Sequence, residues 1–313
     1  MPRAEHDAVL LDLDGVVYAG PDAVPGAPEA LARLREEGTA VRFVTNNASR
    51  TPQQVADKLV KIGVSALAEE VLGSPRAAAE LLAGELALPP GARVAVLGGH
   101  GLLDAVTGAG FRAEPVTGVT ERPDALVQGF SPDIGWQDLA AATYWIREGV
   151  TWVATNLDLT IPTDRGIAPG NGLLVRTVAE AAGRSPDAVA GKPEPHLFTT
   201  AARSCGAGSP LVVGDRLDTD IAGGRAAGYT TALVLTGVHS TADALAADAA
   251  LRPDLVLTTL ADLWDSPGRE AADAVGDLLR QGWEELDALA PGTGREREEV
   301  LVRWRARLSP ATR

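Results

Sequence analysis

With a single cysteine, Cys205, the chain can form no disulfide within itself, and nowhere do cysteines and histidines recur at the spacing of a zinc site. That pattern agrees with a reducing compartment, and the cytoplasm is the expected location. The opening MPRAEHDAVLL passes from charged residues straight into a strand pattern and shows no export signal. No uninterrupted apolar run is long enough to span a bilayer, which argues against a membrane protein. Lysine is scarce: of 28 basic residues only Lys58, Lys61 and Lys192 are lysines. Positive charge is also in deficit, the formal net charge being −14, and no basic stripe offsets it, which argues against general nucleic-acid binding. An anionic ligand must then be drawn in locally, by a bound cation or by a few well-placed basic side chains.

What is present is the composition of a globular protein, 45% hydrophobic and 22% charged, with a length that suits one large domain or two modest ones. Short apolar runs alternate with helix-like segments: a strand at 8–13, a helix at 28–37, a strand at 40–45, a helix at 52–62. Later core-like runs are PLVVGD (210–215), TALVL (231–235) and LVL (255–257). Such alternation predicts a parallel α/β sheet. Between these halves ARVAVLGG (92–99), a helix at 100–109, DALVQGF (124–130), a helix at 136–148 and TWVATN (151–156) read as a self-contained α/β unit. The expected fold class is α/β: a Rossmann-like doubly wound parallel sheet core from residues 1–78 and 187–265, an inserted α/β cap domain at 79–186, and a helical C-terminal extension at 266–313. In the extension two amphipathic patterns, AADAVGDLLRQGWEELDALA and REREEVLVRWRARL, flank PGTG. They read as a helical pair packed on the core or on a second subunit, a partner-binding arm being the alternative.

Ligands of a parallel sheet bind beyond the carboxyl ends of its strands. Three predicted strand ends carry polar groups: Asp12 and Asp14 in VLLDLDGVVYAG, Thr45 with Asn46 and Asn47 after AVRFV, and Asp215 after LVVG, with Asp220 at the start of the next helix. Spacing of two residues puts Asp12 and Asp14 on one side of an extended chain. Converging carboxylates repel one another and demand a cation, and Mg2+ is the natural one, since it takes carboxylate, water and phosphate oxygens. Each aspartate alone also reads as a turn or helix-cap residue, Asp220 most of all. Jointly that reading is poor, because the acids recur at equivalent strand ends. Lys192, in AGKPEP, suits an ammonium aimed at a phosphoryl group or a carboxylate, against the plainer reading of a surface-turn lysine. Lys58 and Lys61 fall on the polar face of a helix and read as solvated. GGHG at 98–101 reads as a tight strand-to-helix connection, and His100, His196 and His239 as structural or surface residues.

Taken in order, DLDGVVY, VTNN, GKPEP and GDRLDTDI resemble the four motifs of the haloacid dehalogenase superfamily phosphatases, and they cover residues about 7–237. The long insertion between VTNN and GKPEP is similar to the α/β cap of the subfamily with nitrophenyl-, phosphoglycolate- and pyridoxal-phosphate phosphatases. Within it VQGFSPDIGWQDLAAA and TWVATNLDLTIPTDRGIAPGNGLLV resemble actinobacterial glycerol-3-phosphate phosphatases. The resemblance implies a Mg2+-dependent phosphoric monoester hydrolase acting on a small phosphorylated metabolite, with Asp12 as nucleophile and Asp14 as general acid and base. It implies a metal set of Asp12, Asp215 and the Asp14 carbonyl, with Asp220 in support, and a phosphate set of Thr45, Asn46, Asn47 and Lys192. Substrate choice then falls to the cap, where Asn156, Asp158, Thr163 and Arg165 in the loop NLDLTIPTDRGIAPGNG, read as a lid, are the candidates, with Arg50 and Arg216 outside it. Glycerol 3-phosphate is the expected substrate, 2-phosphoglycolate or a broad range of sugar and aryl phosphates the alternative. A non-catalytic phosphometabolite sensor is the alternative of another class. A homodimer is compatible with the resemblance.

Overall fold

The run AVLL at residues 8–11 is apolar at every position, as a strand covered by helices on both faces must be. In the computed structural model all four side chains are fully buried. The structure describes residues 6–47, 50–163, 165–264, 267–289 and 294–308, with backbone alone at 162–163 and 267–268. The chain divides into two units: Met1–Val44, Ala56–Glu70 and Ala201–Arg313 form the first, Thr45–Val55 and Val71–Thr200 the second.

In the first unit the strands run in the order Leu255–Leu257, Thr230–Val234, Pro210–Gly214, Ala8–Leu11, Ala40–Thr45, every pairing parallel. From Ala8–Leu11 the chain moves first to one side and later to the other, which makes the carboxyl ends of the central strands a switch point. The flanking helix Ala27–Glu36 follows from its sequence: proline in its first turn presets φ, and Ala27, Ala30, Leu31 and Leu34 bury one face at helical spacing. The two C-terminal patterns form helices, Pro267–Asp287 and Gly294–Leu308. Val275, Leu279, Leu286, Val300, Leu301, Trp304 and Leu308 from this pair join Leu217, Ile221, Leu233, Leu245 and Val256 in one buried cluster. The helical pair is therefore packed on the parallel-sheet unit.

The second unit has its own parallel sheet, in the order Ala188–Val189, Thr151–Ala154, Ala125–Gln128, Arg93–Leu97, Arg112–Pro115. Helices Trp136–Arg147 and Asn171–Ala182 pack on it through Ala142, Ile146, Val175 and Val178, which meet Leu97, Leu126 and Trp152. GGHG is the tight connection expected of it, the helix His100–Gly108 starting directly after Gly99. The segment read as a loop after TWVATN is more ordered than its glycines and prolines suggest: Thr160–Thr163 and Gly166–Pro169 pair as an antiparallel hairpin. Proline is tolerated there because a two-stranded ribbon consists only of edges. Among the described residues no helix is long and apolar enough to cross a membrane.

Candidate active site

In the first unit, Asp12 follows the strand Ala8–Leu11 and its N–H continues the ladder by donating to the Val213 carbonyl at 2.9 Å. Asp215 follows the neighbouring strand Pro210–Gly214. Asp220 lies in the five-residue turn Leu217–Ile221, a wide π-type turn that leads into the helix Ala222–Ala226. One carboxylate oxygen from each of Asp12, Asp215 and Asp220 lies within 4.8 Å of the other two, with Asp12 half-buried and Asp215 and Asp220 buried. Three negative charges that close and that poorly solvated repel strongly unless a cation joins them.

Asp215 is held from two directions. Its Oδ2 accepts the Val238 N–H at 2.7 Å, and its carbonyl accepts the His239 N–H at 3.1 Å. The space around it exists because Gly15 and Gly237 lack side chains. A Cβ on Gly15, whose φ is +80°, would lie 2.5 Å from Asp215 Oδ2, and one on Gly237 would collide with the same carboxylate. This cradle, and a donor set made of carboxylate oxygen with neither sulfur nor imidazole, fit Mg2+. Gly237→Ala is expected to push the Asp215 carboxylate aside and weaken divalent-cation affinity by about 10–100-fold, the range for lost supporting groups. Thermal-shift titration with Mg2+ reads this directly.

Asp14 stands apart from the three-acid cluster: it is exposed, and the Tyr18 hydroxyl donates to its Oδ2 at 3.2 Å. Lys58 is more than a solvated helix residue, since its Nζ sits 3.2 Å from the centroid of the Tyr18 ring, a cation over the negative face of the π-system. Arg216 grips Asp218 with two hydrogen bonds, and these hold the Asp218 carboxyl below the usual carboxylate range against the opposing effect of burial. His239 is structural, as its sequence suggested, its Nδ1 accepting the Leu217 N–H at 3.1 Å.

The second unit carries the remaining candidates. Thr45 Oγ1 accepts the Asn47 N–H at 3.1 Å, which leaves the hydroxyl proton to be directed elsewhere. Asn46, Asn156 and Lys192 are all buried. Lys192 N–H donates to Asn46 Oδ1 at 2.8 Å, and Asn46 Nδ2 donates to the Lys192 carbonyl at 3.0 Å and to Asp158 Oδ1 at 3.2 Å. Asn156 Nδ2 donates to the Asn46 carbonyl at 2.9 Å, while its Oδ1 accepts the Asp158 N–H at 3.2 Å. Four sequence candidates thus form one network. Arg165 is exposed at the turn of the Thr160–Pro169 hairpin and Arg50 is exposed too, both outside that network; the Thr163 side chain lies outside the described residues. Sequence reasoning missed Gly237, Val238 and Tyr18. A signal for the first two existed, because LTGV directly follows the strand Thr230–Val234 at the carboxyl edge that was searched for acids.

A haloacid dehalogenase-like hydrolase model matches residues 9–112, and a second HAD-hydrolase-like model matches residues 189–263. The chain belongs to the haloacid dehalogenase-like hydrolases. Among particular relatives, it is 48% identical to the D-glycerol 3-phosphate phosphatase of Mycobacterium tuberculosis over 80% of this chain and 69% of that protein. It is 39% identical to an acid sugar phosphatase of Staphylococcus aureus over 76% of this chain and 90% of the relative. Its fold matches the crystal structure of a glycerol phosphate phosphatase from M. tuberculosis in complex with magnesium, with a TM-score of 0.83 at 40% identity over 96% of this chain and 98% of the other. It also matches a p-nitrophenyl phosphatase from Archaeoglobus fulgidus, with a TM-score of 0.72 at 29% identity over 83% and 98%.

Proposed function

We propose that the chain is a Mg2+-dependent phosphatase that hydrolyses a small phosphate monoester, glycerol 3-phosphate foremost, through an aspartyl-phosphate on Asp12. The observation that carries this reading is the convergence of three carboxylates, those of Asp12 and Asp215 at adjoining strand ends and that of Asp220 in the turn that follows. The names of the M. tuberculosis relatives support the substrate, and the magnesium complex of one supports the metal. Asp12, Asp215 and the Asp14 carbonyl, with Asp220 in support, would hold Mg2+, which would supply positive charge against the phosphoryl oxygens.

In the first step a carboxylate oxygen of Asp12 bonds to phosphorus as the ester oxygen departs, and Asp14 gives that leaving oxygen its proton. In the second, Asp14 takes a proton from water, whose oxygen bonds to the same phosphorus and returns Asp12 as a free carboxylate with release of inorganic phosphate. Tyr18 orients Asp14 through the hydroxyl it donates. The Thr45 hydroxyl and the Asn46 and Asn47 segment serve the phosphoryl oxygens, and Lys192 balances the charge of both the phosphate and Asp12. Asn156, Asp158, Arg165 and Arg50 are assigned to the leaving group.

The division of labour proposed is a catalytic core of residues 1–78 and 187–265, a specificity-giving cap of 79–186 and an extension of 266–313. The cytoplasm is its proposed location and a homodimer its candidate assembly. A panel of phosphate monoesters, assayed for released phosphate, tests the whole reading. Turnover is expected with Mg2+, to vanish with excess chelator and return with excess Mg2+, and to be greatest for glycerol 3-phosphate. Turnover that survives chelation sinks the metal assignment; a flat profile, or a preference for 2-phosphoglycolate, sinks the substrate.

A further inference from the structure

The side chain of Asn46 is spent within the second unit. Its amide closes on the main chain of Lys192 from both sides, accepting the N–H at 2.8 Å and donating to the carbonyl at 3.0 Å, the two-bond pattern by which one strand residue fixes another. Nδ2 also donates to Asp158 Oδ1 at 3.2 Å. The Asn46 carbonyl is itself held by Asn156 Nδ2 and by Ser74 Oγ, each at 2.9 Å. On the far side, Asn171 Nδ2 donates to the Asn156 carbonyl at 2.7 Å. Gly191 leaves the room for this clamp, since a Cβ there would lie 2.5 Å from Asn46 Oδ1. Any buried asparagine must satisfy its amide. This one does so on two particular residues, 146 and 112 positions away, that the proposed reaction assigns to phosphate and to leaving group.

We infer that Asn46 is a positioning residue that couples Asp158 to Lys192, so that recognition of the leaving group and the aim of the phosphate-binding ammonium depend on one amide. Asp158, as a carboxylate, takes hydrogen bonds from hydroxyl groups and repels anionic ones. The leaving group it selects is a neutral polyol rather than a carboxylate, and that selection runs through Asn46. The inference rests on the phosphatase reading above.

A double-mutant cycle on the full-length enzyme with Mg2+ tests it, using Asn46→Ala, Asp158→Ala and the pair, with glycerol 3-phosphate and p-nitrophenyl phosphate as substrates. With glycerol 3-phosphate, Asp158→Ala should raise KM about tenfold, as loss of one net hydrogen bond to a substrate hydroxyl does. Asn46→Ala should raise KM by a similar factor and also lower kcat about 100-fold, the effect of a charge-stabilising group displaced by about 1 Å. The pair should show a KM no higher than either single variant, because the second change removes what the first had already uncoupled. With p-nitrophenyl phosphate, which offers no hydroxyl donor, Asp158→Ala should raise KM by much less than it does with glycerol 3-phosphate, while Asn46→Ala still lowers kcat. Multiplicative KM effects overturn the coupling, and so does an unchanged kcat in Asn46→Ala. If Asn46→Ala does not fold, Asn46→Asp keeps the acceptor for the Lys192 N–H and sets a second acid against Asp158. It should then raise KM for glycerol 3-phosphate, and a wild-type KM in that variant overturns the inference. Failure of the unaltered enzyme to hydrolyse either substrate instead sinks the phosphatase reading.

Discussion

Replacing Asp12 by asparagine is expected to lower phosphate release by about 10⁴-fold or more, the scale seen when the attacking group of a covalent mechanism is removed. The side chains have the same shape, so the loss is chemical: an amide oxygen does not form the aspartyl-phosphate. The thermal behaviour separates this from misfolding. Asp12 shares its pocket with Asp215 and Asp220, one oxygen of each lying within 4.8 Å of the others. In metal-free buffer these charges oppose one another, and neutralising one relieves the repulsion. The variant should therefore melt at or above the wild-type temperature without metal, and should gain less on adding Mg2+, since stabilisation by a ligand follows its affinity. Lost activity with an unchanged or raised melting temperature is the expected pair of results. Full hydrolysis by the variant removes Asp12 as nucleophile, and a much lower metal-free melting temperature contradicts the account of the acid cluster.

Legibility in the sequence follows distance along the chain. AVLL and PLVVG are uniformly apolar because helices cover both faces of their sheet, and an acid directly after such a run can only emerge at its carboxyl end. Local pattern was therefore enough for Asp12 and Asp215. The helix Trp136–Arg147 and the strand Thr151–Ala154 were equally local, whereas the helix Asn171–Ala182 was not singled out. Asn46, Asp158 and Lys192 were each visible as candidates, but their pairing was not, because no short-range rule joins an amide to residues more than a hundred positions away. Lys58 was misjudged for a related reason: its helix face looked polar, and only the tertiary fold sets the Tyr18 ring beneath its ammonium. Proline and glycine in TIPTDRGIAP suggested a plain loop, whereas the backbone pairs as a hairpin.

The C-terminal helices pack on the core, the first of the two placements their sequence allowed, and ending the chain at residue 266 is expected to cost cooperative folding. Truncation removes Val275, Leu279, Leu286, Val300, Leu301, Trp304 and Leu308 from a single buried cluster and bares Leu233, Leu245 and Val256. At about 1.5–3 kcal/mol for each large apolar side chain buried, the loss rivals the roughly 5–15 kcal/mol by which an average protein is stable. The fit is close: a Cβ on Gly282 would lie 2.5 Å from Leu245 and 3.3 Å from the Trp304 indole, so the long helix carries a glycine in mid-course where the other side chains press against it. Trp304 also donates its indole N–H to Glu285 at 2.7 Å, tying the two helices together. Leu217 and Ile221 belong to the same cluster and bound the turn that carries Asp220, so the packing of the extension bears on the metal site. Trp304→Ala, a milder change, should destabilise the protein by about 3–5 kcal/mol. Circular-dichroism melts of both forms decide the matter. A truncated chain that melts cooperatively and turns over glycerol 3-phosphate at the full rate would make the extension an appended arm after all, and would return a partner-binding role to its arginine-rich end.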